Sequence, residues 1–241
     1  MLTLRELNRA TLARQMLLER QSIPALDAVE RLAGLQAQVP SPPYVGLWTR
    51  LRDFRPEELT RLMEERLVVR ATLMRATLHL MTAEDYLLLR PALQPALTRS
   101  MYSIARKRLE GVDLDRLVGA AREYFETEPH PFADFRPLLA ELEQDRDQSA
   151  LAYAVRTQLP LVQVPSGGAW GYSGKVPFTT AEKWLGQRAL GFRRSARARA
   201  QVSRGVRTSD GEGRPDMVWQ DGTEAGSRGD QRQVAGLPGR K

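Results

Sequence analysis

The stretch LVVRATLMRATLHLM, residues 67–81, changes the periodicity of a chain that reads as helical up to this point. Its two apolar runs, 67–69 and 77–81, are short and rich in residues that favour strands. Met74-Arg75-Ala76 lies between them, where the chain is predicted to reverse. Two strands around a turn predict a β-hairpin, so the fold is predicted to be α+β, mainly α with small β-hairpins.

Helical patterns precede this hairpin. Apolar residues recur at helical spacing in four segments, 3–20, 25–35, 44–52 and 56–65. Thr3 and Glu6 fit a capping box at the start of the first segment. Helices followed by a small hairpin form the pattern of a winged helix-turn-helix, and residues 1–81 are predicted to be one such unit.

The same order of elements returns in the second half of the chain. Residues 82–110 are predicted to form a helical connector, which Thr82 caps at its start. Three predicted helices, a strand, a turn and a return strand follow, over 113–125, 132–143, 149–159, 161–164, 165–168 and 169–172. Residues 111–186 are therefore predicted to be a second winged helix, so that the chain contains tandem winged helix-turn-helix domains.

The last segment, residues 187–241, differs in composition from everything before it. Arg, Gly, Ala, Asp and Gln dominate, and apolar residues follow no period. Such a segment cannot bury enough apolar surface to offset its ordering entropy, so it is predicted to be disordered. It also holds a net charge of +6 out of the total of +7, so the overall basicity says little about the preceding residues.

Two neutral amides, Gln36 and Gln38, lie where the second helical pattern stops. Pro40 disfavours a helical conformation at Val39, so the helix is predicted to unwind at this point. In an extended backbone, residues two apart point the same way, and the two amides are therefore predicted to share one face. This arrangement suits a polar site, with two ordinary surface glutamines as the alternative.

Several motifs carry a resemblance to a known family. They lie at 7–15, 35–38, 43–48, 73–80, 161–170 and 180–186. Together they resemble the AlkZ-like winged-helix DNA glycosylases, over residues 2–186. The resemblance implies a concave basic surface for duplex DNA, and the Gln-aliphatic-Gln signature of the family maps onto Gln36, Ala37 and Gln38. It also implies hydrolysis of the N-glycosidic bond of alkylated purines, especially N7-alkylguanine, and in some members the unhooking of interstrand crosslinks.

Amide side chains can serve this chemistry. N7-alkylguanine is already cationic, so the base needs little protonation in order to leave. A Gln carbonyl oxygen can orient a water, and a second amide can hold that water or the sugar-phosphate. The reaction therefore requires no titratable residue, metal or cofactor, and the two His residues are too far apart to suggest a metal site.

Four further residues are predicted to bind DNA. Arg70 and Arg75 flank the first hairpin, where a winged helix meets phosphates, although solvated surface is the alternative. Tyr44 could stack on or contact a lesion, with core packing as the alternative. His79 lies in an apolar strand and is interpreted as structural rather than as a catalytic base.

The resemblance also implies a third winged helix after Gly186, which the composition of residues 187–241 does not continue. We expect either a truncated or frameshifted member of the family or a genuine basic tail that binds DNA nonspecifically.

The chain has no cysteine, signal peptide or membrane-spanning apolar run, which predicts a cytoplasmic, nucleoid-associated protein. The leading prediction is a bacterial DNA repair glycosylase that acts as a monomer on alkylated duplex DNA without a nucleotide cofactor. The alternatives are a non-catalytic winged-helix DNA-binding protein, such as a regulator, and an inactive fragment.

Overall fold

A computed structural model describes residues 2–168 and 170–186. The helices are α1 Leu4–Arg14, α2 Ala25–Arg31, α3 Pro42–Trp48, α4 Pro56–Glu64, α5 Ala83–Ala105, α6 Leu114–Thr127, α7 Arg136–Leu142, α8 Gln148–Gln158 and α9 Ala181–Leu185. The strands are β1 Leu35–Gln36, β2 Val68–Thr72, β3 Leu78–Thr82, β4 His130–Pro131, β5 Leu161–Gln163 and β6 Pro177–Thr180. The predicted α+β class is confirmed, whereas the tail predicted at 187–241 lies outside the described residues.

Helix starts follow their predicted caps more closely than helix ends do. Thr3 and Glu6 form the capping box, since the Thr3 hydroxyl accepts from the Glu6 N–H at 3.3 Å and the Glu6 carboxylate accepts from the Thr3 N–H at 2.8 Å. The helix predicted to reach residue 20 nevertheless ends at Arg14. Met16, with a φ of 55°, takes the left-handed conformation there and stops the helix.

The first hairpin forms as predicted, from β2 and β3 in antiparallel register with Val68 opposite Thr82. Its turn contains a short 3₁₀ segment in which Arg75 and Ala76 both have a positive φ, of 56° and 55°. Two successive left-handed residues match the twist of the strands on either side, which is why such turns close hairpins. The turn therefore projects Arg75 from the end of the hairpin.

The predicted return strand of the second hairpin is wrong. The partner of β5 is β6, Pro177–Thr180, and not the segment 169–172. The residues between the two strands, 164–168 and 170–176, instead form a loop, which we call the bracing loop. Its glycines at 167, 168, 171 and 174 all have positive φ values, which a strand does not allow.

Both hairpins belong to one antiparallel sheet with the strand order β1-β3-β2-β5-β6-β4. Pairing of β2 with β5 joins them, with Arg70 opposite Gln163 and Ala71 opposite Val162. Three helices precede each hairpin, α2 to α4 before the first and α6 to α8 before the second. The strand order is therefore the same from either end: a short outer strand, the return strand and then the first strand of a hairpin.

The helix that follows each hairpin also begins in the same way. The sequence Thr-Ala-Glu follows at residues 82–84 and again at 180–182. The Thr82 hydroxyl accepts from the Asp85 N–H at 3.1 Å, and the Thr180 hydroxyl accepts from the Lys183 N–H at 3.4 Å. The second half thus repeats the first in strand order and in the capping of the following helix.

The sheet separates two hydrophobic clusters because alternate residues of a strand face opposite sides. The first cluster, with Val68 and Leu80, packs against α2, α3 and α4. The second cluster, with Val69 and Met81, packs against α5 and α9. None of the described helices is long and apolar enough to cross a membrane. All described residues lie within one compact unit.

The bracing loop packs closely against the first cluster at Gly171. A β-carbon there would lie 2.5 Å from Met63 Cε and 3.0 Å from the Tyr44 hydroxyl oxygen. The φ of Gly171 is also positive, at 73°. The backbone conformation therefore favours glycine at this position, and a larger residue would also force the Met63 side chain to shift.

We expect Gly171→Ala to lower the free energy of unfolding by about 1–3 kcal/mol, from backbone strain and overpacking. Gly119→Ala is the matched control, because no atom lies within 4 Å of a β-carbon added at Gly119, inside α6. Alanine favours the helix interior, so this variant should gain about 0.5–1 kcal/mol. Urea unfolding measures both changes, and a neutral Gly171→Ala would contradict the close approach.

Candidate active site

The segment that contains the two amides, residues 35–38, is called the amide segment below. It starts shortly after the end of α2. Ala33 and Gly34 take left-handed conformations, with φ values of 54° and 96°, and terminate the helix. A β-carbon on Gly34 would lie 2.9 Å from the Leu80 carbonyl oxygen, so glycine lets the chain approach β3. The prediction that the helix extends to Leu35 is therefore wrong, since Leu35 already belongs to β1 and lies opposite Leu80.

The two amides point to the same side of this segment. Gln36 and Gln38 are exposed, whereas Ala37 between them is 0% exposed and belongs to the first hydrophobic cluster. This alternation is the one expected for an extended backbone. The sequence thus predicted correctly that the two side chains share a face.

Each amide makes one hydrogen bond through its carbonyl oxygen. Gln36 Oε1 accepts from Arg75 Nη2 at 3.2 Å, and Gln38 Oε1 accepts from the Leu78 N–H at 3.1 Å. An amide oxygen can accept a second hydrogen bond, and neither amide nitrogen has a partner among the described residues. Each side chain can therefore still accept one hydrogen bond and donate two.

Arg70 lies beneath this segment rather than in solvent. Arg70 is 3% exposed, and it donates from Nε to the Ala37 carbonyl at 2.7 Å and from Nη2 to the Gln38 carbonyl at 3.0 Å. Burial lowers the pKa of Arg70 from its ordinary value. A guanidinium engaged in this way cannot reach a phosphate, so the predicted DNA contact does not fit its position.

Arg75 is exposed and fits the predicted phosphate contact better. Its bond to Gln36 uses one of the five N–H donors of a guanidinium. Among the described residues, no Asp or Glu hydrogen-bonds to Gln36, Gln38 or Arg75. The site therefore presents two amides and a cation.

His79 lies opposite Gln36 in the sheet and is buried. Its Nδ1 lies 3.0 Å from the Thr77 carbonyl oxygen. Burial lowers the pKa of His79 most, and the positive charge of Arg75 lowers it further. These features agree with a structural histidine and leave no exposed ring for DNA.

Tyr44 is buried as well. Its hydroxyl lies 2.9 Å from Thr60 Oγ1, and its ring meets that of Trp170 edge-on at 5.2 Å. Tyr44 forms part of a cleft of about 140 Å³, lined by Tyr44, Val45, Trp48, Phe54, Pro56 and Trp170. Core packing, the alternative for Tyr44, is therefore the arrangement that the structure has.

The contribution of the bracing loop was missed by reasoning from the sequence. The sequence predicts a return strand at Tyr172, but this residue lies in the bracing loop, and its ring lies 4.9 Å from the Arg70 guanidinium carbon. The spacing of glycines at 167, 168, 171 and 174 was the available signal that this segment is a loop. No group of three or more His, Cys, Asp or Glu residues that could hold a metal ion occurs in the described part of the chain.

We expect His79 to make the folded protein less stable at acidic pH. Its pKa in the folded state lies below the ordinary 6.5, so the unfolded state binds the proton first. The contribution of neutral His79 to the free energy of unfolding should be fully present above pH 6.5. It should be lost as the pH falls through 6.5 towards the lower pKa of the folded state. Urea unfolding of the wild type and of His79→Gln at about pH 7.5 and about pH 5.5 measures this difference. Equal pH dependence in both proteins would show that His79 does not titrate as expected.

Comparisons with known proteins agree with the resemblance. The family model "DNA glycosylase AlkZ-like" matches residues 29–209. This match includes the amide segment and both hairpins, and it extends beyond Gly186 into the region predicted to be a tail. The first 28 residues, including the 7–15 motif, lie outside it.

Among solved structures, the Streptomyces sahachiroi DNA glycosylase AlkZ is similar, with 23% identity and a TM-score of 0.44 over 75% of this chain and 49% of that chain. The chain thus spans about half the length of that protein. A comparison with curated proteins found no match. Because the family model matches well over half of its residues, the chain belongs to the AlkZ-like DNA glycosylase family.

Proposed function

We propose that this protein hydrolyses the N-glycosidic bond of alkylated purines in duplex DNA, with Gln36 and Gln38 positioning the water. The observation that carries the proposal is the pair of exposed amides on one face of an extended segment. The resemblance implies that the Gln-aliphatic-Gln signature maps onto these residues, and the segment lies within the range that the family model matches. With respect to the described residues, each amide keeps a free acceptor site and two free N–H donors, which is what holding a water requires.

The proposed substrate class follows from what the site offers. Amides cannot protonate a leaving group, so the base must leave without help from a strong acid. N7-alkylguanine meets this condition because it is cationic before the bond breaks. The bond between N9 and C1′ breaks with its electron pair going to the base, which leaves as neutral N7-alkylguanine.

The positioned water then adds to C1′ of the sugar. Its oxygen bonds to the oxocarbenium-like C1′, and its second proton passes to solvent, which leaves an abasic site. A carbonyl oxygen of Gln36 or Gln38 orients this water, and an amide N–H can hold it from the other side. The exposed Arg75 is the proposed contact to a phosphate beside the lesion.

Release of N7-methylguanine from methylated duplex DNA tests the proposal. We expect Gln36→Ala and Gln38→Ala each to lower kcat by about 100-fold, because the water loses an oriented partner. Amides do not titrate, so neither variant should shift the pH optimum of the remaining activity. Gln15→Ala is the matched control, since Gln15 is an exposed glutamine at the end of α1, and it should keep full activity.

The other outcomes identify the alternatives. Binding of duplex DNA without release of base from the wild type would indicate a non-catalytic DNA-binding protein. A protein that does not unfold cooperatively and does not bind DNA would be an inactive fragment. Release from monoadducts but not from an interstrand crosslink would confine the substrate to single lesions. As a monomer acting on chromosomal DNA, the protein would work in the cytoplasm, at the nucleoid.

A further inference from the structure

We propose that Arg70 and Tyr172 are positioning residues of this site. Tyr172, supplied by the bracing loop, holds the Arg70 guanidinium, and Arg70 holds the backbone that carries Gln36 and Gln38. This inference rests on the proposed function and extends it, because it makes a loop of the second hairpin part of the machinery of the first.

The first step of the argument is the unusual environment of Arg70. A buried cation is costly unless it is paired or fully hydrogen-bonded, and no carboxylate pairs with Arg70 among the described residues. Its observed acceptors are two consecutive backbone carbonyls, those of Ala37 and Gln38. The hydrogen bonds of Arg70 are thus directed at the peptide groups on either side of Gln38.

The second step is that the amide segment is held from two sides. On the β3 side, the Ala37 N–H donates to the Leu78 carbonyl at 2.7 Å, and the Leu78 N–H donates to Gln38 Oε1 at 3.1 Å. On the other side, Arg70 donates to the carbonyls. Fixing both peptide planes sets the direction of the Gln38 side chain, and a shift of about 1 Å in a positioned group can cost about 100-fold in rate.

The third step concerns what keeps Arg70 in place. The Tyr172 ring is buried and lies 4.9 Å from the guanidinium carbon, where its π-system favours the cation. The Tyr172 hydroxyl lies 3.6 Å from Met63 Sδ, and Gly171 beside it packs against the same methionine. The bracing loop is therefore anchored in the first cluster at the point where it meets Arg70.

A second buried arginine provides the control for a merely structural role. Arg90 in α5 is also 3% exposed, and it donates to the Thr157 carbonyl at 3.0 Å and to the Gln94 side chain. It touches no residue of the amide segment through any of these bonds. Replacing either arginine with Met should reduce stability, but only the loss of Arg70 should disturb the site.

The test compares Arg70→Met, Arg70→Lys and Arg90→Met, with N7-methylguanine release and hydrogen exchange as the two measurements. We expect Arg70→Met to lower kcat by about 10–100-fold with little change in KM, and Arg70→Lys to recover part of that loss. Exchange of the Leu78 amide should rise in Arg70→Met, because this amide is protected by Gln38. Arg90→Met should keep the kcat and the Leu78 exchange of the wild type.

The loop is tested separately. Tyr172→Leu removes the ring that lies over Arg70, so we expect it to lower kcat by about 10-fold and to raise exchange at Leu78. If Arg70→Met does not fold, Arg70→Lys and Tyr172→Leu still decide the question by the same two measurements.

Wild-type kcat and wild-type exchange in Arg70→Met, or equal losses in Arg70→Met and Arg90→Met, would overturn the positioning role. If the wild type releases no base, the proposed function fails, and exchange alone then decides. A rise at Leu78 in Arg70→Met but not in Arg90→Met would support the positioning role, and no difference between them would overturn it.

Discussion

The two hydrogen bonds from the Arg70 guanidinium to the Ala37 and Gln38 carbonyls connect the first hairpin to the segment that carries the amides. They impose a constraint on their surroundings. A guanidinium removed from solvent needs acceptors for its N–H groups and a favourable environment for its planar face. The carbonyls of an extended segment meet the first need, and the Tyr172 ring meets the second. The exposed pair of amides thus depends on a buried charge that holds the backbone of the same segment.

Pairing of β2 with β5 brings these parts together. It sets the second hairpin edge to edge with the first, so that the connection between β5 and β6 returns over the first cluster. Tyr172 is about a hundred residues from Arg70 in the sequence, and the sheet makes them neighbours. The close packing of Gly171 against Met63 then anchors this loop next to Arg70.

Local signals in the sequence identified what local physics determines. The capping box at Thr3, the first hairpin and the shared face of Gln36 and Gln38 all depend on residues a few positions apart. The burial of Arg70 could not be found in this way, because an arginine on a hairpin strand is usually solvated. What covers it is Tyr172, whose position depends on strand pairing between distant segments. Likewise, β1 has only two residues and exists because β3 lies beside it.

The repeated order of the strands gives the sheet two equivalent outer edges, and the side chains at these edges differ. Gln36 lies opposite His79, three residues before Thr82, and the corresponding place in the second hairpin, three residues before Thr180, brings Pro131 opposite Pro177. Around it the rings of Phe125, Phe132, Phe135 and Phe178 pack together. One copy of the repeat is thus polar at its outer edge, and the other is filled with aromatic side chains. Within the described residues, a sheet that is nearly symmetric in its connections therefore has chemically different outer edges, and the exposed amides lie at one of them.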